Sequence, residues 1–365
     1  MTRTVGVEEE FLLVGADGRP VAKAQEALEA TGTSDKGGGT GSLESEFMEE
    51  QLETATHPRT ELHDLAKEIR AGRARAQEAA DRVGARVAAL STSPLPFEGT
   101  TVSRLRYLEA RAQFGLTARE QLTSGCHVHV AVADDTEGVA VLDRIGPWLS
   151  TLLAISTNSP FWQGEDSGYA SFRSQVWSRW PTSGPARAFG TPEAYHDAVA
   201  SLVATGTILD QAMVYFDARL SARYPTVEIR IADVCLHPDT ATLVAALARG
   251  LVETAAREAA EGMPAPELRP EILRTASWRA GRSGLAEDLV SPLTWRPAKA
   301  HDVVGQLVAH VRDALVDAGD LDVVTELLGH VWSRGNGAAR QRAWFADSGG
   351  DLRAVVEHAV AETHS

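Results

Sequence analysis

The sequence predicts an α+β protein in which one sheet packs helices against one face and lines an open hollow with the other. Three segments far apart in the chain carry that expectation: VGVEEEFLLV at Val5–Val14, GCHVHVA at Gly125–Ala131 and PTVEIRIAD at Pro225–Asp233. Side chains alternate faces along a strand, so each segment shows one apolar face and one face of ionisable groups. Strand patterns fill residues 1–235 and helical patterns fill 236–365. Neither a linker nor an internal repeat divides the chain, so a single domain over 1–365 is expected.

In the first strand Val5, Val7, Phe11 and Leu13 share a face, interrupted by Glu9, while Gly6, Glu8 and Glu10 share the other. At about 3.3 Å per residue, Glu8 and Glu10 stand roughly 6.6 Å apart. Paired carboxylates repel unless a cation lies between them. A divalent ion such as Mg²⁺ selects carboxylate oxygens; the alternative is the solvated face of an edge strand. Gly15–Arg19 reads as a turn. Gly37–Ser42 (GGGTGS) is a loop without the GK[ST] ending of a phosphate-binding loop. As a helix, Glu44–Thr56 would stack Glu46, Glu49, Glu50 and Glu53 on one side, which like-charge repulsion opposes. The segment is therefore expected to be a loop carrying Glu46, then a strand with Gln51, Glu53 and Ala55 on one face. Glu49 and Glu50 are read as surface carboxylates.

Thr60–Arg82 is an amphipathic helix, Ala85–Thr92 a buried strand, and Leu105–Leu122 irregular or partly helical. In the second ionisable strand His127 and His129 share a face opposite Val128 and Val130. Gly138–Thr157 follows as an apolar helix. Phe161–Pro185 is a long loop rich in tryptophan (Trp162, Trp177, Trp180) with Arg173 and Arg179, and it reads as an active-site wall. Pro192–Met213 is a helix, and Phe216–Ala222 leads into the third strand. There Glu228 and Arg230 lie opposite Val227, Ile229 and Ile231. Further helices are expected at Thr240–Glu261, Pro270–Ala280, His301–Val316, Leu321–Val331 and Leu352–Thr363.

The 365 residues carry a formal net charge of −15, which argues against a nucleic-acid or anionic-membrane partner. No apolar run approaches the roughly 18 residues of a membrane span, and MTRTVGVEEE has no signal-peptide core. Cys126 and Cys235 are the only cysteines and read as small core residues. A cytoplasmic location is the default. No Gly-x-Ser-x-Gly nucleophile and no dinucleotide fingerprint is present. Acidic metal ligands beside arginines suit phosphoryl transfer from a Mg·nucleotide.

Five segments together resemble the glutamate–cysteine ligase type 2 family, the carboxylate–amine ligases. They are GVEEEFLLV at Gly6–Val14, EFMEEQLETATHP at Glu46–Pro58, GCHVHV at Gly125–Val130, SFRSQVWSRWPTSGP at Ser171–Pro185 and TVEIRIAD at Thr226–Asp233. GNGAARQRAWF at Gly335–Phe345 also looks familial. The resemblance implies a glutamine synthetase/guanido kinase-like catalytic fold, a curved and mainly antiparallel sheet with helices on its convex side. It implies an ATP-dependent ligase forming a γ-glutamyl amide through an acyl phosphate, with two or three Mg²⁺ ions. By position it assigns Glu8, Glu10, Glu46, Glu53, His127 and Glu228 to the metals. Arg230 would meet the transferred phosphoryl group beside Glu228, and His129 would lie second to the metals or on phosphate. Arg173, Arg219 and Trp177 would contact substrate. Partners would be small molecules, and a homodimer is consistent with the family. The acceptor amine is not fixed, with cysteine as the default.

Two other functions compete. The His-x-His pair resembles that of amidohydrolase barrels, although His196, His237 and His301 sit in helical or turn context. A cupin-like binding domain would need a glutamate shortly after the pair, where the chain reads AVADD. A non-catalytic ATP-binding relative is a third alternative.

Overall fold

The computed structural model describes residues 2–32 and 40–365. The part of the expected Gly37–Ser42 loop at 37–39 lies outside them. In chain order the strands are β1 (Val5–Val14), β2 (Leu43–Ser45), β3 (Gln51–Ala55), β4 (Arg86–Ala88), β5 (Gly125–Ala131), β6 (Phe161–Trp162), β7 (Glu165–Asp166), β8 (Ala218–Leu220), β9 (Thr226–Asp233), β10 (Asp288–Val290) and β11 (Pro297–Lys299). Seven of them form one sheet in the order β2-β3-β1-β5-β9-β8, with β4 also paired to β1. Every pairing in it is antiparallel. The parallel barrel of the amidohydrolases is thereby excluded.

The helices are α1 (Ala24–Thr31), α2 (Leu62–Arg82), α3 (Leu105–Phe114), α4 (Leu116–Arg119), α5 (Asp135–Ser156), α6 (Arg173–Trp177), α7 (Pro192–Ala204), α8 (Pro238–Ala260), α9 (Pro270–Ser283), α10 (Ala300–His310), α11 (Arg312–Ala318), α12 (Leu321–Arg334), α13 (Gly337–Asp347) and α14 (Leu352–Thr363). On the apolar side of the sheet Val5, Val7, Val128, Val130, Val227 and Ile229 join one core with Leu65 and Ile69 of α2, Leu149 and Leu152 of α5, and Leu243 and Leu247 of α8. Burying each such side chain contributes about 1.5–3 kcal/mol, so this face anchors the sheet. α5 has the length and apolarity to cross a membrane, but it is buried inside the fold as one of these core helices.

The opposite face changes character along β1. It carries Glu8 and Glu10, then Leu12 and Val14, which pack with Leu90, Leu122 and Val356 and Ala359 of α14. The C-terminal helix thus closes one end of the ionisable face. Glu9 sits on the apolar side and is 2% exposed. Arg73 of α2 meets it through Nη2–Oε1 at 2.6 Å and Nε–Oε2 at 3.1 Å. The same guanidinium donates to the carbonyls of Cys235, Leu236 and Thr363. One buried cation therefore joins β1, α2, the segment after β9 and the end of α14. Cys126 and Cys235 are buried free thiols, as expected.

Several boundaries differ from the sequence expectation. The helix expected from Gly138 begins at Asp135, because the Asp134 carboxylate accepts from the Glu137 N–H. The helix expected over Pro192–Met213 stops at Ala204, and Gly206 turns the chain at φ +70°. The helix expected over His301–Val316 breaks at Val311, which packs against Gly250 of α8. The strand expected over Ala85–Thr92 pairs with β1 through Arg86–Ala88 and otherwise makes a single bridge, Thr92 to Thr123. The Phe161–Pro185 loop contains the β6–β7 hairpin and α6. Glu50 is not a surface carboxylate: it is 3% exposed and accepts from the Thr100 N–H at 3.0 Å.

Removing one partner of a buried ion pair strands the other. Arg73→Met should destabilise the fold by about 3–5 kcal/mol, measured as a lowered denaturant midpoint. Adding Glu9→Gln to that variant should recover part of the loss; no recovery would mean that the carbonyl contacts, not the charge, carry the cost.

Candidate active site

The register of the sheet assembles the site. Glu8 stands opposite His127, Gly6 opposite His129, and Glu10 opposite Glu53. His129 stands opposite Glu228, and Glu228 opposite Arg219. Residues paired across antiparallel strands have adjacent side chains on the same face. The period-two pattern thus becomes a two-dimensional array of ionisable groups. Glu46 follows β2 directly and joins the array from its edge. These side chains line a cavity of about 630 Å³.

Three triads in the array bring ligand atoms within 4.8 Å of one another: Glu8–His129–Glu228, Glu8–Glu53–His127 and Glu10–Glu46–Glu53. Glu8 and Glu53 each belong to two triads, so the three adjoin in a row. All six expected metal positions are drawn together here. Nε2 of His127 and Nε2 of His129 are buried without a hydrogen-bond partner. The other nitrogen of His129 meets Thr226 Oγ1 at 3.1 Å, which leaves Nε2 turned to the triads. Carboxylate oxygens with orphaned imidazole nitrogens are a donor set for divalent ions.

The electrostatics follow from crowding in a recess. Burial and the neighbouring Glu10 push the Glu46 carboxyl up to about 8. Burial, then Glu8 and Glu46, hold Glu53 well above the usual carboxylate range. Burial would also raise Glu8, but His129 and His127 overcome it and hold Glu8 well below that range. Burial would raise Glu228 too, and Arg230, Arg219 and His129 reverse it. Arg219 donates from Nε to Glu228 Oε2 at 2.7 Å, and Arg230 Nη1 pairs with Glu228 Oε1. Burial and Arg230 lower His127, whereas Glu8 more than offsets burial at His129 and raises it.

The cavity wall is aromatic. Phe47, Tyr107, Trp177, Trp180 and Tyr215 form a connected set, with Trp177 and Tyr215 centroids 4.8 Å apart and Phe47 and Tyr107 5.2 Å apart. Arg104, Arg106 and Arg223 also line it, and Asp210 pins Arg106 through two hydrogen bonds. Trp177 and Trp180 belong to the wall expected from the Phe161–Pro185 loop, whereas Phe47, Tyr107, Tyr215 and these arginines were not foreseen, because they come from helices and turns. The adjacency of arginines and Tyr107 in SRLRYLEAR was the available signal. Trp177 and Arg219 do line the cavity.

Arg173 does not line it. It is 3% exposed, on the His127 side of β5 at Gly125, 3.4 Å from the carbonyls of Arg230 and Ile231 and 3.9 Å from Asp233 Oδ1. A Cβ at position 125 would collide with its guanidinium, so Gly125 permits the approach. Its ring contact is with Trp177, 5.6 Å from guanidinium to centroid. The structure thus places Arg173 behind the lining residues His127 and Trp177, in contact with the wall rather than in the cavity itself. Arg179 is likewise spent on Glu120, outside the array.

The sequence profile described as glutamate-cysteine ligase family 2 matches residues 4–358. A Streptomyces avermitilis protein named "Putative glutamate--cysteine ligase 2-1" is 52% identical over 99% of both chains. A Streptomyces coelicolor protein named "Putative glutamate--cysteine ligase 2" is 50% identical over 100% of this chain and 99% of its own. Among solved structures, the glutamate–cysteine ligase of Francisella tularensis in complex with AMP superposes with a TM-score of 0.71 at 13% identity, covering 100% of this chain and 89% of that one; it shares the fold. The chain belongs to glutamate–cysteine ligase family 2, and it is an ATP-dependent ligase that forms amide bonds.

Proposed function

We propose that the hollow joins the γ-carboxylate of glutamate to the amine of a second substrate, cysteine by default, with ATP as phosphoryl donor. ATP phosphorylates the carboxylate, the amine displaces phosphate from the acyl phosphate, and the products are the amide, ADP and phosphate. The observation that carries this proposal is the row of three triads ending beside two guanidiniums on one sheet face. Two or three Mg²⁺ ions held by Glu8, Glu10, Glu46, Glu53, His127 and Glu228 would neutralise phosphate oxygens of the nucleotide.

The chain's own residues supply the rest. Arg230, only 9% exposed, keeps a charged fork in the wall of the hollow, where it would stabilise charge developing on the phosphoryl group better than in bulk water. His129, held by Thr226, presents an N–H or a lone pair to phosphate. An acyl phosphate is lost if water reaches it first. The linked rings of Phe47, Trp177, Trp180 and Tyr215 exclude water beside Glu46 and Arg230 and give the substrates an apolar wall. Arg173 supports that wall from behind through Trp177 and holds the β9 carbonyls beside Arg230.

ADP release from Mg·ATP with L-glutamate and a panel of amines including L-cysteine, with product mass read in parallel, tests the proposal. Glutamate-dependent ADP release with the mass of a γ-glutamyl amide is expected. Tight Mg·ATP binding without ADP from any pair would overturn it in favour of a non-catalytic relative. Glu228→Gln should lower kcat by about 10²-fold or more with the fold intact, and near-normal turnover would remove β9 from the metal site. Arg230→Lys should cost about 10³-fold, because an ammonium does not reproduce the planar fork; wild-type rates would take Arg230 out of the mechanism.

A further inference from the structure

Arg219 stands on the cavity wall, where an arginine is ordinarily read as a substrate contact. Its guanidinium has no fork left to offer. Nε donates to Glu228 Oε2 at 2.7 Å and Nη2 to Oε1 at 3.3 Å. Nη1 donates to the carbonyls of Val214 at 2.9 Å and Ala212 at 3.1 Å. Ala212 belongs to the short turn at Gln211–Met213 and Val214 directly follows it; Asp210 caps that turn while also pinning Arg106. The side chain is therefore fixed on both sides, by the strand pair and by the wall.

Glu228 is held differently by its two arginines. Oε2 belongs to Arg219, whereas Oε1 is shared by Arg230, the long Arg219 contact and the approach of His129 Nε2 at 4.0 Å. Glu228 and His129, with Glu8, make up the triad nearest Arg219. If Oε1 turns to a divalent ion, Arg230 loses its partner and becomes available to the phosphoryl group. The hold on Oε2 then keeps the carboxylate from rotating.

We propose that Arg219 is a positioning residue: it fixes Glu228 through Oε2, so that Oε1 can pass from Arg230 to a divalent ion while Arg230 turns to the transferred phosphoryl group. This rests on the reading of Glu228 as a metal ligand. It assigns Arg219 to the metal site and not to the carboxylate or amine substrate. Outer partners of metal ligands set affinity by about 10- to 100-fold, and that is the size of effect expected.

The test is Mn²⁺ binding to the full chain, followed by electron paramagnetic resonance of free Mn²⁺, for the wild type, Arg219→Gln and Arg219→Lys. Unfolding midpoints serve as the control for folding. In Arg219→Gln one class of Mn²⁺ should weaken by about 10- to 100-fold, with the remaining ions unmoved. The Mg²⁺ concentration for half-maximal rate should rise in parallel, while KM for carboxylate and amine at saturating Mg²⁺ stays near wild type. Added guanidinium ion should restore part of the Mn²⁺ affinity. Arg219→Lys should also lose affinity, since a lysine cannot hold Oε2 in the same fork, and it carries the test if the glutamine variant does not fold. Unchanged Mn²⁺ isotherms with a raised KM for either substrate would overturn the proposal and make Arg219 a substrate contact. A wild-type protein that takes up no Mn²⁺ would overturn the metal reading itself, and this inference with it.

Discussion

Mutual repulsion of five carboxylates is the constraint around which this molecule is built. Glu8, Glu10, Glu46, Glu53 and Glu228 line one hollow, with triad atoms within 4.8 Å of one another. Two unit charges about 4 Å apart interact by about 4 kcal/mol at an effective dielectric of about 20. The chain disperses this cost by three means. Arg219 and Arg230 neutralise Glu228. His127 and His129 flank Glu8. Glu46 and Glu53 are pushed toward their protonated forms. In the proposed reading a divalent cation would take over each of these roles, with the carboxylates of the triads and the His127 and His129 nitrogens as its ligands.

A strained face needs a firm back. The apolar cluster between the sheet and α2, α5 and α8 is one support, and buried polar contacts are the other. Arg73 on Glu9 locks β1 to the C-terminal helix. Asp233, at the end of β9, accepts from Ser159, Ser171 and the Asn158 N–H. Asn158 is held in turn by Gln341 of α13. The familial GNGAARQ segment therefore acts at a distance, fixing the strand end that carries Arg230. Every polar group in this chain of contacts is satisfied inside the protein, which favours one register over its neighbours.

Strand alternation made the ionisable face legible in the sequence. Glu8, Glu10, His127, His129, Glu228 and Arg230 were each placed on one face by period two, and the register brings them together. The loop-then-strand reading of Glu46 and Glu53 also matches the structure, because an all-acidic helical side was physically unfavourable. What was not legible depends on long-range contact. β2 and β8 are three residues long, too short for a periodic signal, and pair only because the sheet is already there. Arg73 looks like any polar residue of an amphipathic helix until its partner is seen. Glu50 looks exposed until the Thr100 segment folds over it. The depth of Arg173 was not legible from its motif, since its burial depends on the space that Gly125, far away in the chain, leaves for its guanidinium.

If the crowded carboxyls are the metal ligands proposed above, divalent ions would bind in exchange for protons that burial and like charge hold at Glu46 and Glu53. A carboxyl raised to about 8, as at Glu46, is mostly protonated near neutral pH, and an ion bound there would have to displace that proton. The direct measurement is calorimetric titration of Mg²⁺ into the metal-free protein near neutral pH, in two buffers of different ionisation heat. The account predicts net proton release on binding, which fades as the pH rises past Glu46's value while Mg²⁺ affinity grows. Mg²⁺ binding with no proton release and no pH dependence would contradict it, because the carboxylates would then already be ionised and their repulsion balanced in some other way.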